Sequence, residues 1–189
     1  MIALAYGMRR GEVLGLRWSA LDREAGTLRV THGVKRIKNR DKGIGRRTRL
    51  VVSELKTAKS RRTFVLTPEI LGRLRTHRSR RSEAKIATGP LWQDHGLIFT
   101  SEVGTPMDPD NFSHAFSKLC QRAGLGHRHP HELRHSGASL MLAQGTPLHV
   151  VSEVLGHASI TITKDVYGHP LEGDKRAAAT SMSRALFGS

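Results

Sequence analysis

Between residues 27 and 67 the hydrophobic period changes, and that change limits the folds open to the chain. TLRVTHGV (27–34) alternates apolar and polar side chains, the repeat of a half-buried strand. LVVSEL (50–55) and RRTFVLT (61–67) read as two more strands, with KTAKS (56–60) as the turn between them and ALDREAG (20–26) as an earlier turn. On both sides the period is helical. Leu4, Met8, Val13 and Leu16 mark a helix over 2–16, turned near Gly7 and Gly11 and ending around Trp18. Pro68 opens a helix over 69–86 with Leu71 and Leu74 on its buried side. Further helices are expected over 111–125, from Pro130 to Gly145, up to Gly156, and around Tyr167, with a short strand at LIFT (97–100). The tail (171–187) has helical propensity. The expected fold class is mainly α with a small antiparallel β-sheet, in one domain of 189 residues.

Charge selects the partner. Thirty-one Lys and Arg face sixteen Asp and Glu, a net +15 that attracts polyanions over long distances. Nucleic acid is the natural partner, with a solubilising charged surface or ribosomal association as the alternatives. Aromatic residues make up only 5% of the chain, too few for a single-strand platform of stacked rings. The first residues lack the pattern of a signal peptide, and no apolar run is long enough to span a bilayer, so no membrane role and a cytoplasmic setting are expected. One cysteine, Cys120, rules out an internal disulfide framework.

HELRH (131–135) admits two chemistries. As H-E-x-x-H it would give His131 and His135 to a zinc ion and Glu132 to a general base. The extended metal motif fails, because Ala138 and Met141 stand where it needs glycine and histidine, although Glu153 is spaced to serve as a third ligand. Zinc also leaves the net charge without a purpose. As H-x-x-R-H, the stretch places His131, Arg134 and His135 on one helix face. Arginine's planar fork matches phosphate oxygens, and cleaving a phosphodiester without metal requires such donors, a nucleophile and an acid.

Those parts lie elsewhere in the chain: Arg9 in GMRRGEVLGLRW, Lys56 in LKTAKSRRTFVL, and His157 and Tyr167 in VLGHASITITKDVYGH. In this order the four stretches resemble the catalytic domain of the tyrosine recombinase, or phage integrase, family over about residues 2–170. They correspond to its first arginine box, its lysine hairpin K-T-x-x-S-x-R, its H-x-L-R-H-T-x-A-S box and its final L-G-H…Y box. The resemblance implies site-specific recombination or integration through a 3′-phosphotyrosine, with neither metal nor cofactor. Tyr167 would attack the phosphate, Arg9 and Arg134 would clamp its oxygens, and Lys56 would protonate the leaving 5′-oxygen. His131 would assist proton transfer at the nucleophile, and His157 would bond a phosphate oxygen. Glu12 and His135 would orient the arginine and the histidine helix.

Lys56 is preferred over Lys59 because Thr57 follows it, as in the family pattern. Backbone contacts to DNA are expected from Arg10, Lys35, Arg36, Lys38, Arg46, Arg47, Lys59 and Arg61, most of them in a basic stretch (35–49) read as a solvated loop. Family members carry further helices and a separate DNA-binding domain before the first box, and here Arg9 follows Met1 closely. The chain is therefore expected to be a catalytic domain shortened at its N-terminus, without the upstream core-binding domain. A homotetramer on paired DNA sites is the expected assembly. A catalytically inert DNA-binding remnant and a zinc hydrolase are the other readings.

Overall fold

The computed structural model describes residues 1–39, 48–57, 60–157, 159–167, 180–186 and 188. The N-terminal stretch forms two short helices, α1 (Ile2–Ala5) and α2 (Arg10–Leu14). The chain turns between them at Gly7, whose φ of 53° is one that glycine adopts without a Cβ clash. The expected second turn at Gly11 is absent: Gly11 lies inside α2. Met8, Val13 and Leu16 point inward from this segment, which is why its apolar residues recur at helical spacing despite the break.

Among the described residues five strands follow: β1 (Leu21–Asp22), β2 (Thr27–Val30), β3 (His32–Lys38), β4 (Thr48–Glu54) and β5 (Arg62–Val65). They form two antiparallel sheets, one in the order β1-β2-β5 and the other pairing β3 with β4. The single strand expected over 27–34 is divided at Thr31. Before it, Val30 pairs with Arg62; after it, His32 pairs with Glu54. The Thr31 carbonyl accepts from the Leu55 amide at 2.8 Å and holds the corner. The basic stretch differs from expectation too. Lys35, Arg36 and Lys38 belong to β3, and Thr48 and Arg49 to β4, since pairing gives their backbone groups partners and leaves the Lys35 and Lys38 side chains to solvent.

The remaining helices are α3 (Pro68–Thr88), α4 (Pro109–Arg122), α5 (Pro130–Ala143), α6 (Leu148–Leu155) and α7 (Ile160–Tyr167), and residues 180–186 are also helical. Proline stands at the first turn of α3, α4 and α5, where its missing N–H costs nothing. Asp108 caps α4 by accepting from the Asp110 amide at 2.8 Å. LIFT is not a strand: Leu97 and Thr100 make only isolated bridges, to Arg17 and Pro106, while the Ile98 amide bonds the Leu16 carbonyl at 2.8 Å. Leu28, Val30, Phe64, Leu66, Ile70, Leu74 and Ile98 close a core between sheet and helices, and Leu71 packs against it. A second, smaller core joins Ala138, Val151, Leu155 and Tyr167. No helix among the described residues is long and apolar enough to cross a membrane.

Candidate active site

Arg134 is fixed by two chain ends. Its Nη1 donates to the Gly7 carbonyl at 2.6 Å and its Nη2 to the Leu155 carbonyl at 2.8 Å. The Leu155 carbonyl is left free where α6 stops, the Gly7 carbonyl where the chain turns after α1, and a cation at such a point also suits the helix dipole. The side chain is almost fully buried, and burial together with the nearby Arg9 lowers its pKa to about 10. It therefore remains charged at neutral pH. The other N–H of each Nη is left for a ligand, and Arg134 lines a cavity of about 460 Å³.

Arg9 reaches the same cavity from the turn before α2. Glu12 holds it twice: Oε1 accepts from Arg9 Nη1 and Oε2 from the Arg9 backbone amide, both at 2.9 Å. The second bond caps α2 in the manner of an N3 glutamate. Glu12 is itself buried, with 3% of its surface exposed. Burial raises its pKa, but Arg62 and Arg9 outweigh this and hold the carboxyl below its ordinary value.

Arg62 supplies the compensating charge. Its Nη2 donates to Glu12 Oε2 at 2.8 Å, its Nε to the Val154 carbonyl at 2.8 Å, and its Nη1 to the Ser60 carbonyl at 3.1 Å. One guanidinium thus joins the lysine hairpin, the first arginine box and the end of α6. Sequence reasoning passed over it. The available signal was the final arginine of K-T-x-x-S-x-R, which Arg62 matches.

Gly156 ends α6 in the left-handed conformation (φ 65°, ψ 45°), and the His157 amide bonds back to the Ser152 carbonyl at 3.1 Å. That turn delivers the His157 ring to the cavity. Burial lowers its pKa to about 4, with Arg134, Arg9 and Arg62 adding to the effect, so the ring is neutral at physiological pH. Its Nδ1 lies 2.7 Å from Oγ1 of the fully buried Thr163. When Thr163 donates, the ring proton sits on Nε2, where His157 is a hydrogen-bond donor.

Tyr167 closes the cavity from the end of α7. Burial raises the pKa of its phenol, and Arg134 partly offsets the rise. Its hydroxyl lies 2.7 Å from His135 Nδ1. The rings of His131 and His135 meet edge to face, 4.7 Å between centroids. Burial lowers the pKa of His131, as do His135, Arg134 and Arg9.

The structure therefore brings Arg9, His131, Arg134, His157 and Tyr167 together, along with His135. Lys56 does not join them: it is exposed on the turn after β4, while its neighbours Thr57 and Ser60 line the cavity. His135, expected to orient the histidine helix, contacts the phenol. A cavity of about 520 Å³ beside Trp18, Arg29 and Arg78 receives none of the six expected catalytic residues.

Among the expected DNA contacts, Lys35, Lys38 and Arg61 are exposed. Arg10 is engaged with α4, donating to the Pro109 carbonyl, Asp110 Oδ1 and Ser113 Oγ. Arg36 pairs with Asp108 and Asp110. Arg46, Arg47 and Lys59 lie outside the described residues. Glu132, the base required by the zinc reading, is committed elsewhere. It accepts from the His129 amide at 2.7 Å as a helix cap and pairs with Arg128 at 3.1 Å. Among the described residues no group of three or more His, Cys, Asp or Glu side chains is placed to hold a metal ion.

Residues 1–173 match the sequence profile of the phage integrase family. A tyrosine recombinase XerC-like protein of Caldanaerobacter subterraneus is 33% identical over 186 residues, 97% of this chain and 48% of that protein. An integrase of Streptomyces ambofaciens is 38% identical over 117 residues, 60% of this chain and 30% of its own length. The chain thus spans half or less of these relatives. A solved structure of the Tn1549 transposon integrase, in complex with transposon right end DNA, superposes with a TM-score of 0.74 at 21% identity. That superposition covers 96% of this chain and 57% of the other, a likeness of fold.

Proposed function

Because the chain belongs to the phage integrase family of tyrosine recombinases, we propose that it breaks and rejoins double-stranded DNA at specific sites through a 3′-phosphotyrosine on Tyr167. The observation that carries this reading is the cavity itself. Arg9, Arg134, His157 and Tyr167, drawn from three separate boxes, line one space large enough for a phosphodiester. Arg134, pinned by two carbonyls, and Arg9, pinned by Glu12, meet the two non-bridging oxygens where negative charge grows in the transition state. Neutral His157 donates to one of these oxygens through Nε2. Lys56 protonates the leaving 5′-oxygen, reaching in from the turn whose Thr57 already borders the cavity.

The phosphotyrosine conserves the energy of the broken bond, so a 5′-hydroxyl of a second duplex can reseal it without ATP or metal. The chain acts as one catalytic domain, four copies meeting on paired DNA sites in a prokaryotic cytoplasm. Lys35, Lys38 and Arg61, all exposed, supply contacts to the DNA backbone.

The test is covalent capture. The protein is incubated with supercoiled plasmid in EDTA, denatured, and examined for protein on DNA 3′ ends. An adduct made by the unaltered chain and lost in Tyr167→Phe is expected. Equal capture by the phenylalanine variant would overturn the nucleophile assignment. Tight DNA binding with no adduct would instead support an inert DNA-binding remnant, and activity abolished by EDTA and restored by zinc would favour the metal reading.

A further inference from the structure

Helix α3 carries more cations than the fold uses. Arg73, Arg75, Arg78 and Arg80 are exposed along it, and among the described residues none of these four side chains makes an ion pair or a hydrogen bond. A surface helix usually offsets such a run with opposite charges three or four residues away. Here Glu83 is taken by the Ser79 hydroxyl at 3.5 Å, and Glu69 stands in the first turn, where the helix dipole favours it.

Arg78 is the centre of this surface. Its guanidinium lies over the Trp18 ring, 5.2 Å from the centroid. Stacking fixes the plane of the fork and uses none of its five N–H donors. Arg78 lines the cavity of about 520 Å³ together with Arg23 and Arg29, and an adjoining cleft together with Arg23 and Arg75. Four exposed guanidinium groups thus meet at one place. The same cavity holds two carboxylates. Asp22 is engaged by the amides of Glu24 and Ala25, at 3.0 and 2.9 Å, and Glu24 is exposed. None of the four arginines lines the cavity that contains Arg134 and Tyr167.

We propose that Arg23, Arg29, Arg75 and Arg78 form a second duplex-binding surface, separate from the cleavage cavity, an assignment that rests on duplex DNA being the substrate of the chain. Its ligand is the phosphate backbone. A single strand would need exposed rings for its bases, and Trp18 is covered by Arg78 as Trp92 is by Arg81, 4.6 Å from its centroid. A duplex presents one phosphate charge per roughly 1.7 Å of axis, so a helix about 30 Å long meets many of them. An acidic peptide offers carboxylates only where its own sequence places them. The surface holds a second duplex, or a remote stretch of the same one, beside the cleavage cavity and so raises the local concentration of partner DNA.

Two measurements test this, and neither needs cleavage. The first is the salt dependence of binding to a random-sequence duplex, read by fluorescence anisotropy in EDTA. Each phosphate contact adds about 0.9 to the slope of log K against log salt, so Arg75→Gln/Arg78→Gln should lower that slope by roughly 1 to 2. Arg29→Gln/Arg75→Gln, which leaves the Arg78–Trp18 stack in place, should lower it as much. An unchanged slope in both variants would overturn the surface. The second is stoichiometry, read by sedimentation with a labelled duplex of about 12 base pairs, longer than α3. The unaltered chain should bind one duplex more per chain than Arg75→Gln/Arg78→Gln.

Equal stoichiometry with weaker affinity would mean that these arginines grip DNA at the cleavage cavity, which overturns a separate surface. An unchanged DNA slope with weaker binding of polyglutamate would assign the face to an acidic protein and overturn it as well. The strand-cleaving function is read apart from both, in the Tyr167-dependent adduct. A lowered slope and lost stoichiometry with no adduct from the unaltered chain would overturn that function and leave the second surface standing.

Discussion

A buried arginine with three different acceptors is not replaceable by another cation. Arg62 uses Nε and both Nη groups on partners from three parts of the chain, and only 8% of its side chain is exposed. A lysine there has one ammonium and cannot span the Ser60 carbonyl, the Val154 carbonyl and Glu12 together. Replacing Arg62 by alanine removes the charge that offsets a buried carboxylate, which costs about 3–5 kcal/mol in comparable pairs. The expected outcome is graded. Arg62→Ala should lower the urea midpoint strongly. Arg62→Lys should fold with a smaller loss yet still capture DNA roughly tenfold more slowly or worse, because Glu12 no longer holds Arg9 in one orientation. Urea melts alongside capture rates read both. A lysine variant with the unaltered capture rate would show that Arg62 braces the fold without setting Arg9.

Close packing of elements is what makes the site, and one glycine carries much of it. A Cβ built on Gly137 in α5 would stand 2.2 Å from the Leu4 carbonyl oxygen of α1. The obstacle is backbone, so it cannot rotate away. α5 also carries Arg134, whose bond to the Gly7 carbonyl depends on the same approach. Gly137→Ala is thus expected to destabilise the protein by about 1–3 kcal/mol, the usual cost of overfilling a packed contact. In a chain of this size that lowers the melting temperature by roughly 2–10 °C. It should also weaken capture beyond what the lost stability explains; unchanged capture in the folded variant would separate the α1–α5 contact from the site. Such contacts mark the limit of what the sequence discloses. Helices starting at Pro68 and Pro130 were legible because proline and the apolar spacing act locally. The corner at Thr31 was not: both halves of TLRVTHGV alternate alike, and only the pairing of Val30 with Arg62 and of His32 with Glu54 divides them. At the site, residue types and order pointed to Arg9, Arg134, His157 and Tyr167. Which histidine meets the phenol depends on how α7 lies against α5, and no spacing within HELRH encodes that.

Across the whole molecule, a net charge of +15 is partly held in check beside the site. Asp110 at the start of α4 faces both Arg10, at 3.2 Å, and Arg36, at 3.7 Å. Arg10 also lines the cavity that adjoins Arg9 and His131. A carboxylate here competes with phosphate for the same guanidinium groups. Asp108 is unsuitable for a test because it caps α4, whereas the Asp110 side chain is 58% exposed and its loss leaves that cap in place. Asp110→Asn should therefore keep the fold and tighten binding to a random-sequence duplex by roughly two- to fivefold, the scale of an exposed ion pair worth up to about 1 kcal/mol. The gain should shrink as salt is raised, since binding of DNA phosphates is driven by counterion release and log K falls linearly with log salt. Fluorescence anisotropy at several salt concentrations reads both quantities. If Arg10 and Arg36 reach phosphate only in the variant, its salt dependence will be steeper than that of the unaltered chain. If the two lines are parallel and coincident, these arginines serve α4 alone, and the DNA contacts belong to Lys35, Lys38 and Arg61.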